Sequence, residues 1–206
     1  RLRRRLQRGL KAPKPGKVVA HEPLSCTSHI STADRAGNMV SLTQTHGGSF
    51  GSMVTVPGTG LLLGHGVGRF DPRPGWANSI AGGKRPLHNM SPLIATRGGR
   101  PFASYGIPGG RTIVNNQLSF SIGLIDLGRN AQQVLSAPRI HCEGGEPVRI
   151  ERRAGKRVLV GLRQLGHTLE LESGIGGPGH AIVLEEDAAV QSGATDPRFE
   201  GCVAAS

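Results

Sequence analysis

The sequence predicts a layered α+β body, and three observations carry that prediction. Short runs rich in Ser, Thr, Ile and Val lie towards both ends, helical spacing occupies the middle, and 32 glycines and 14 prolines divide the 206 residues with turns. A chain of this length buries a sizeable core in one or two domains. It reads as a piece of something longer, since it begins with Arg1, and it holds no 18-residue apolar run that would cross a membrane.

The first element is a hairpin over Thr27–Thr45. Two alternating runs flank a turn containing Gly37 and Asn38, residues that tolerate positive φ and so suit a tight connection. Pairing those runs brings Thr27 near Thr45, two hydroxyls at the open end. Next come a loop over 46–52, short apolar runs over 53–56 and 60–63, and a glycine-rich stretch, Gly64 to Gly68. The latter is read as a flexible loop and not as a dinucleotide fingerprint, because Pro72 and Pro74 forbid the helix that such a site requires.

A second hairpin is predicted from Pro92–Ala95 and Phe102–Tyr105, with Gly98 and Gly99 at its tip. The Gly109–Gly110 turn then leads into a helix over 112–127, whose apolar residues Val114, Leu118, Ile122 and Ile125 recur at helical spacing. Ile113, Leu124 and Leu127 widen that stripe, so the helix is expected to be well buried. Residues 130–137 read as a short helix stopped by Pro138, 148–151 as a strand, and 156–165 as a helix ending at Gly166. Residues 167–171 and 181–184 read as core strands around a glycine-rich loop over 173–179.

Charge separates the N-terminal tail from the body. The formal net charge is +11, but residues 1–17 hold eight basic residues and no acid, which leaves 17 basic against 14 acidic residues in the rest. The proline- and lysine-rich stretch that follows reads as an extended linker up to about Ser25. Trp76 and Tyr105 lie far from the tail and supply no stacking platform, so nucleic acid is not the expected partner. A nucleic-acid reading would require steeply salt-dependent binding that is lost with residues 1–17. Cys26, Cys142 and Cys202 cannot all pair and form no C-x-x-C, and the eight histidines are scattered, so neither a disulfide framework nor a metal site is expected. His29 reads as a packed or hydrogen-bonded imidazole.

Five pieces occur in a fixed order: Thr27-Ser28-His29, the turn Asp34 to Asn38 with Thr45 closing the second strand, Lys84 to Pro92, Gly106 to Gly110, and Asp196-Pro197-Arg198. Together they resemble the small subunit of the γ-glutamyltranspeptidase family. The resemblance implies an N-terminal-nucleophile hydrolase αββα sandwich, with residues 1–26 ending a large subunit and 27–206 forming the catalytic small subunit. It implies self-cleavage between Cys26 and Thr27, Thr27 as nucleophile, Thr45 as its orienting partner, and the amides of Gly109 and Gly110 as an oxyanion site. It also implies a large subunit of the same precursor as partner, a small-molecule or peptide amide as substrate, no cofactor, and export to the periplasm or outside the cell. Substrate-binding positions fall on Ser49, Arg69, His88 and Asn89.

The chemistry fits those residues. A threonine hydroxyl needs a base, and a free α-amine on the same residue, with a pKa of about 8, supplies one. Cys26 is the competing nucleophile from its residue type alone, and the register of the motif favours Thr27. Departures fall on the substrate side. Gly47 stands where the family usually carries Asn, Gly66 and Arg69 where it presents an amide or carboxylate and then an Asp, and His88 and Asn89 where it has two serines. Arg69 would repel a substrate ammonium. The reading is therefore a self-processing γ-glutamyltransferase- or hydrolase-like enzyme. The alternatives are an acylase of altered specificity and a catalytically silent member that binds a ligand or partner.

Overall fold

The computed structural model describes residues 26–184 and 191–205, so the basic tail and linker expected over residues 1–25 lie outside the described part. Strand β1 (Ser28–Ala33) and strand β2 (Met39–Gln44) pair antiparallel from Ser28↔Gln44 to Ala33↔Met39, the hairpin that the Gly-Asn turn predicts. The Asp34 carboxylate fixes the turn by accepting from the Asn38 amide at 2.9 Å and from Asn38 Nδ2 at 2.7 Å, which also holds its pKa below the usual range. Gly37 takes φ +82°, a conformation open to glycine.

The second predicted hairpin is present as β3 (Leu93–Arg97) and β4 (Arg100–Gly106), with a bulge between Ala95 and Thr96. It extends into a four-stranded antiparallel sheet with β8 (His180–Leu184) and β9 (Gln191–Thr195), in the order β3-β4-β8-β9. Side chains alternate across this sheet, as the twofold period of a strand requires. On β4, Ser104 and Gly106 face the β1–β2 hairpin. Ser104 Oγ donates to Val40 O at 3.0 Å, and a Cβ placed on Gly106 would enter the His29 ring. Ala103 and Tyr105 face the other way, into an apolar core with Ile107, Ile113, Phe120, Leu124 and Leu135.

That core is closed by helix α1 (Thr112–Ser121), continued by one wider turn over Ile122–Asp126, and by helix α2 (Ala131–Ser136). Helix α2 carries the reciprocal cap of Asn130 and Gln133. The layers are thus hairpin, sheet and helices. Ile30, Val40 and Leu42 on the outer face of the hairpin stay about half exposed.

The stripe expected to bury α1 needs correction. Val114 and Leu118 are 56% and 60% exposed, Ile122 and Ile125 also face outwards, and the buried residues are Ile113, Asn116, Gln117, Phe120 and Leu124. Two stripes about one residue apart compete on this helix, and the sheet takes the one that carries the phenyl ring. The amide nitrogens of that stripe are bonded: Gln117 Nε2 donates to Ser91 O at 2.5 Å and Asn116 Nδ2 to Thr112 O at 2.9 Å, while among the described residues no donor reaches Asn116 Oδ1 or Gln117 Oε1.

A smaller sheet joins β5 (Ile140–His141), β6 (Val148–Glu151) and β7 (Leu169–Glu172). The parallel pair β6–β7 is connected by helix α3 (Lys156–Gln164). A buried ionic network ties this unit to the rest. Asp196 pairs with Arg139 and Arg198, Glu151 with Arg153 and Arg198, and Arg198 also donates to the carbonyls of Leu135 and Ala137. Among the described residues no helix is long and apolar enough to cross a membrane, and no group of three or more His, Cys, Asp or Glu is placed to hold a metal ion.

Candidate active site

Strand pairing delivers the two hydroxyls where the sequence expects them. One residue beyond the Ser28↔Gln44 pair, Thr27 Oγ1 donates to Thr45 Oγ1 at 2.9 Å. The Thr45 oxygen also accepts the amide of Gly47 at 2.8 Å, so the backbone holds the partner in place. Cys26 Sγ donates to Gly48 O at 3.0 Å. Both sides of the Cys26–Thr27 peptide bond are therefore anchored on the turn that follows β2.

The oxyanion candidates lie at the same end. Ser104 meets Val40, Ser41 Oγ donates to Tyr105 O at 3.2 Å, and Gly106 meets His29, so β4 runs towards the open end of the hairpin. The chain then turns at Gly109 (φ +135°) and Gly110 (φ +60°) into α1. Among the described residues neither glycine amide donates a hydrogen bond within the chain. The Gly109 carbonyl is held by the Thr112 hydroxyl at 2.8 Å, and a side chain at Gly109 would collide with Gly176 and Gly177. The Gly177 amide donates to Pro108 O at 2.9 Å, and Arg139 Nη1 donates to the carbonyls of Ile175 and Gly177. The buried ionic network thus braces the turn from beneath.

The substrate-side candidates divide. Ser49 is exposed just beyond Gly48 on the turn that holds Thr45. Arg69 ends a 3-10 turn over Gly66–Arg69, in the stretch expected to be a flexible loop; Phe70 is extended and stops it, so no dinucleotide helix follows. The pKa of His88 is held below the usual value, first by burial and then by the Arg69 charge. The Asn89 side-chain oxygen is buried, and among the described residues it has no hydrogen-bond partner.

Two histidines complete the region. His29 is buried, with Nδ1 2.8 Å from Thr43 Oγ1 and Nε2 3.1 Å from Ser31 Oγ, as expected of a packed imidazole. Its ring stacks against His180 at 6.4 Å, and burial, then the His180 charge, push its pKa down to about 4. His65 was not singled out by the sequence. Its ring lies on Gly47, where a Cβ would fall 1.6 Å from Nε2. The only signal for it in the sequence was a glycine at a position where the family carries a side chain.

The family model for gamma-glutamyltranspeptidase matches residues 3–206. This chain belongs to the gamma-glutamyltranspeptidase family. Among curated relatives, it is 37% identical over 175 residues to an acylase ACY 1 proenzyme of Pseudomonas sp. (strain SE83), covering 85% of this chain and 31% of that protein. It is 31% identical over 196 residues to the glutathione hydrolase proenzyme of Escherichia coli (strain K12), covering 90% of this chain and 33% of that protein. The chain spans about a third of the length of these two relatives. Among solved structures, a mutant Helicobacter pylori gamma-glutamyltranspeptidase aligns with a TM-score of 0.73 at 34% identity, covering 83% of this chain and 99% of that one. A cephalosporin acylase from Bacillus halodurans aligns with a TM-score of 0.76 at 32% identity, covering 85% of this chain and 33% of that one. These similar proteins are named for two different substrates, glutathione and cephalosporin.

Proposed function

We propose that this chain carries the nucleophile half of a self-processing amide hydrolase or acyltransferase of the gamma-glutamyltranspeptidase family. The observation that carries the reading is the Thr27–Thr45 hydroxyl pair at the end of the hairpin, anchored by Gly47. In the first reaction Thr27 Oγ attacks the Cys26 carbonyl carbon, and the acyl group moves from the Thr27 nitrogen to its oxygen. Water then hydrolyses that ester, leaving a carboxylate on Cys26 and a free α-amine on Thr27.

That amine serves as the base for the second reaction. It takes the Thr27 hydroxyl proton as the oxygen attacks a γ-glutamyl or related amide, and the proton passes on to the leaving amine. The negative oxygen that develops is stabilised by the Gly109 and Gly110 amides; losing one such donor typically costs about 100- to 1,000-fold in rate. The acyl ester on Thr27 is finally taken by water or an amino acceptor. Residues 27–206 form the catalytic small subunit, and residues 1–26 end the large one. The large subunit covers the outer face of the hairpin, where Ile30, Val40 and Leu42 are exposed, and so completes the αββα sandwich.

The test is intact mass and N-terminal sequencing of the full-length protein beside Thr27→Ala. A new terminus at Thr27 that is absent from the variant is the expected result. A single uncut chain in the folded wild-type protein would overturn the reading in favour of a silent, ligand-binding member.

A further inference from the structure

Beyond the basic tail, positive charge gathers at one place in the body. Residues 152–166 hold Arg152, Arg153, Lys156, Arg157 and Arg163 and no acid, whereas the rest of the chain after residue 17 has twelve basic residues against fourteen acidic ones. The segment folds as a 3-10 turn over Arg152–Ala154 followed by helix α3, which packs on β7. Arg153 is taken by Glu151, but among the described residues Arg152, Lys156, Arg157 and Arg163 enter no ion pair. Helical spacing puts Lys156, Val160 and Arg163 in one row with Arg157 and Gln164 beside it, and all five are exposed. Nothing within the helix accounts for that choice of residues. Gly155 supplies no side-chain cap, the first turn has no acid, and Lys156 and Arg157 sit at the positive end of the helix dipole, where cations are destabilising. No residue of α3 is fully buried; Val160, inside the cationic face, and Leu165, just past the end of the helix, are 40% and 77% exposed.

A helix with unpaired cations on its outer face and aliphatic side chains left among them suits a surface that is both negative and oily. We propose that α3 and the turn before it form a docking surface for an anionic phospholipid bilayer. The Lys156 ammonium and the Arg152, Arg157 and Arg163 guanidiniums meet headgroup phosphates, each guanidinium reaching two oxygens at once. Val160 and Leu165 enter the boundary between headgroups and acyl chains. A nucleic acid would satisfy the cations equally well, but it offers the aliphatic side chains no apolar medium. Residues 152–166 also carry no aromatic ring on which a base could stack. The contact is reversible, because each basic residue at an anionic surface strengthens binding by only about five-fold.

The experiment is sedimentation of the full-length protein with phosphatidylcholine vesicles, with and without about one-third phosphatidylglycerol, at about 0.15 M salt. Binding to the anionic vesicles and not to the neutral ones is expected. The double variant Arg157→Glu with Arg163→Glu should lose about ten-fold or more of that binding. Val160→Ser with Leu165→Ser should lose about five-fold while binding duplex DNA no more weakly than the wild type. All four side chains are exposed, so unchanged melting temperatures should confirm that both variants fold. Failure of the wild type to bind anionic vesicles would overturn the proposal. So would equal binding by R157E/R163E, which would assign the attraction to the basic tail. Tighter binding to duplex DNA than to the vesicles, lost in R157E/R163E, would overturn it in favour of a nucleic acid.

Discussion

The two faces of strand β4 differ more than their sequence spacing suggests. One face, with Ala103 and Tyr105, is sealed by α1 and α2 in an apolar core. The other, with Ser104 and Gly106, meets the hairpin through hydroxyls and the buried His29. Apolar packing is tolerant of direction, whereas hydrogen bonds fix register and angle. The helix side therefore supplies most of the stability, and the hairpin side sets where Thr27 and Thr45 stand relative to the Gly109–Gly110 turn.

The sharpest way to break that contrast is Phe120→Ala, which opens a cavity on the helix side. It should cost about 3–5 kcal/mol of unfolding free energy, read by urea titration. The protein that remains folded at low temperature should still cleave at Thr27; loss of cleavage in that folded fraction would show that the two faces are not separable.

Acid should attack the opposite face. His29 titrates at about 4 when folded, against 6.5 for its ordinary value. Between those values the unfolded chain takes up a proton that the folded chain refuses, so the contribution of His29 to stability is flat above pH 6.5 and falls by about 1.4 kcal/mol per pH unit below it, levelling near pH 4. His29→Gln should flatten that limb in melts recorded from pH 8 to pH 4. An unchanged limb in the variant would assign the acid sensitivity elsewhere.

Gly47→Ala sharpens the comparison at the end of the hairpin. The added methyl meets the His65 ring at a positive φ of +90° and displaces the amide that holds Thr45. Self-cleavage should slow by about 100-fold, as a misplacement near 1 Å does, while the thermal melt moves little. Adding His65→Ala should recover part of that rate. The smallest effect belongs to Ser104→Ala, which removes one bond to Val40 O and should cost about 1 kcal/mol.

Much of the framework was legible in the chain. The Gly37-Asn38 turn with its Asp34 predicted the first hairpin and the meeting of Thr27 with Thr45, because local turn chemistry and strand register depend on near neighbours alone. Strand β9 was not anticipated. Its sequence, QSGAT, has little strand preference, and pairing with β8 is what holds it extended. Helix α1 was placed, but its buried side was misread, since two adjacent apolar stripes were available and only the sheet could choose between them. His65 was invisible because its role rests on an absence, the missing side chain of Gly47, eighteen residues away.

By itself the sequence determined the hairpins, the helices, the family and the two hydroxyls, all features set by spacing along the chain. The tertiary structure alone decided which face of α1 is buried and that Arg139 and Asp196 brace the loop beneath the Gly109–Gly110 turn. It also placed an imidazole on Gly47. These contacts join residues far apart in sequence, and their energies depend on burial and on the charges nearby, which no local pattern records.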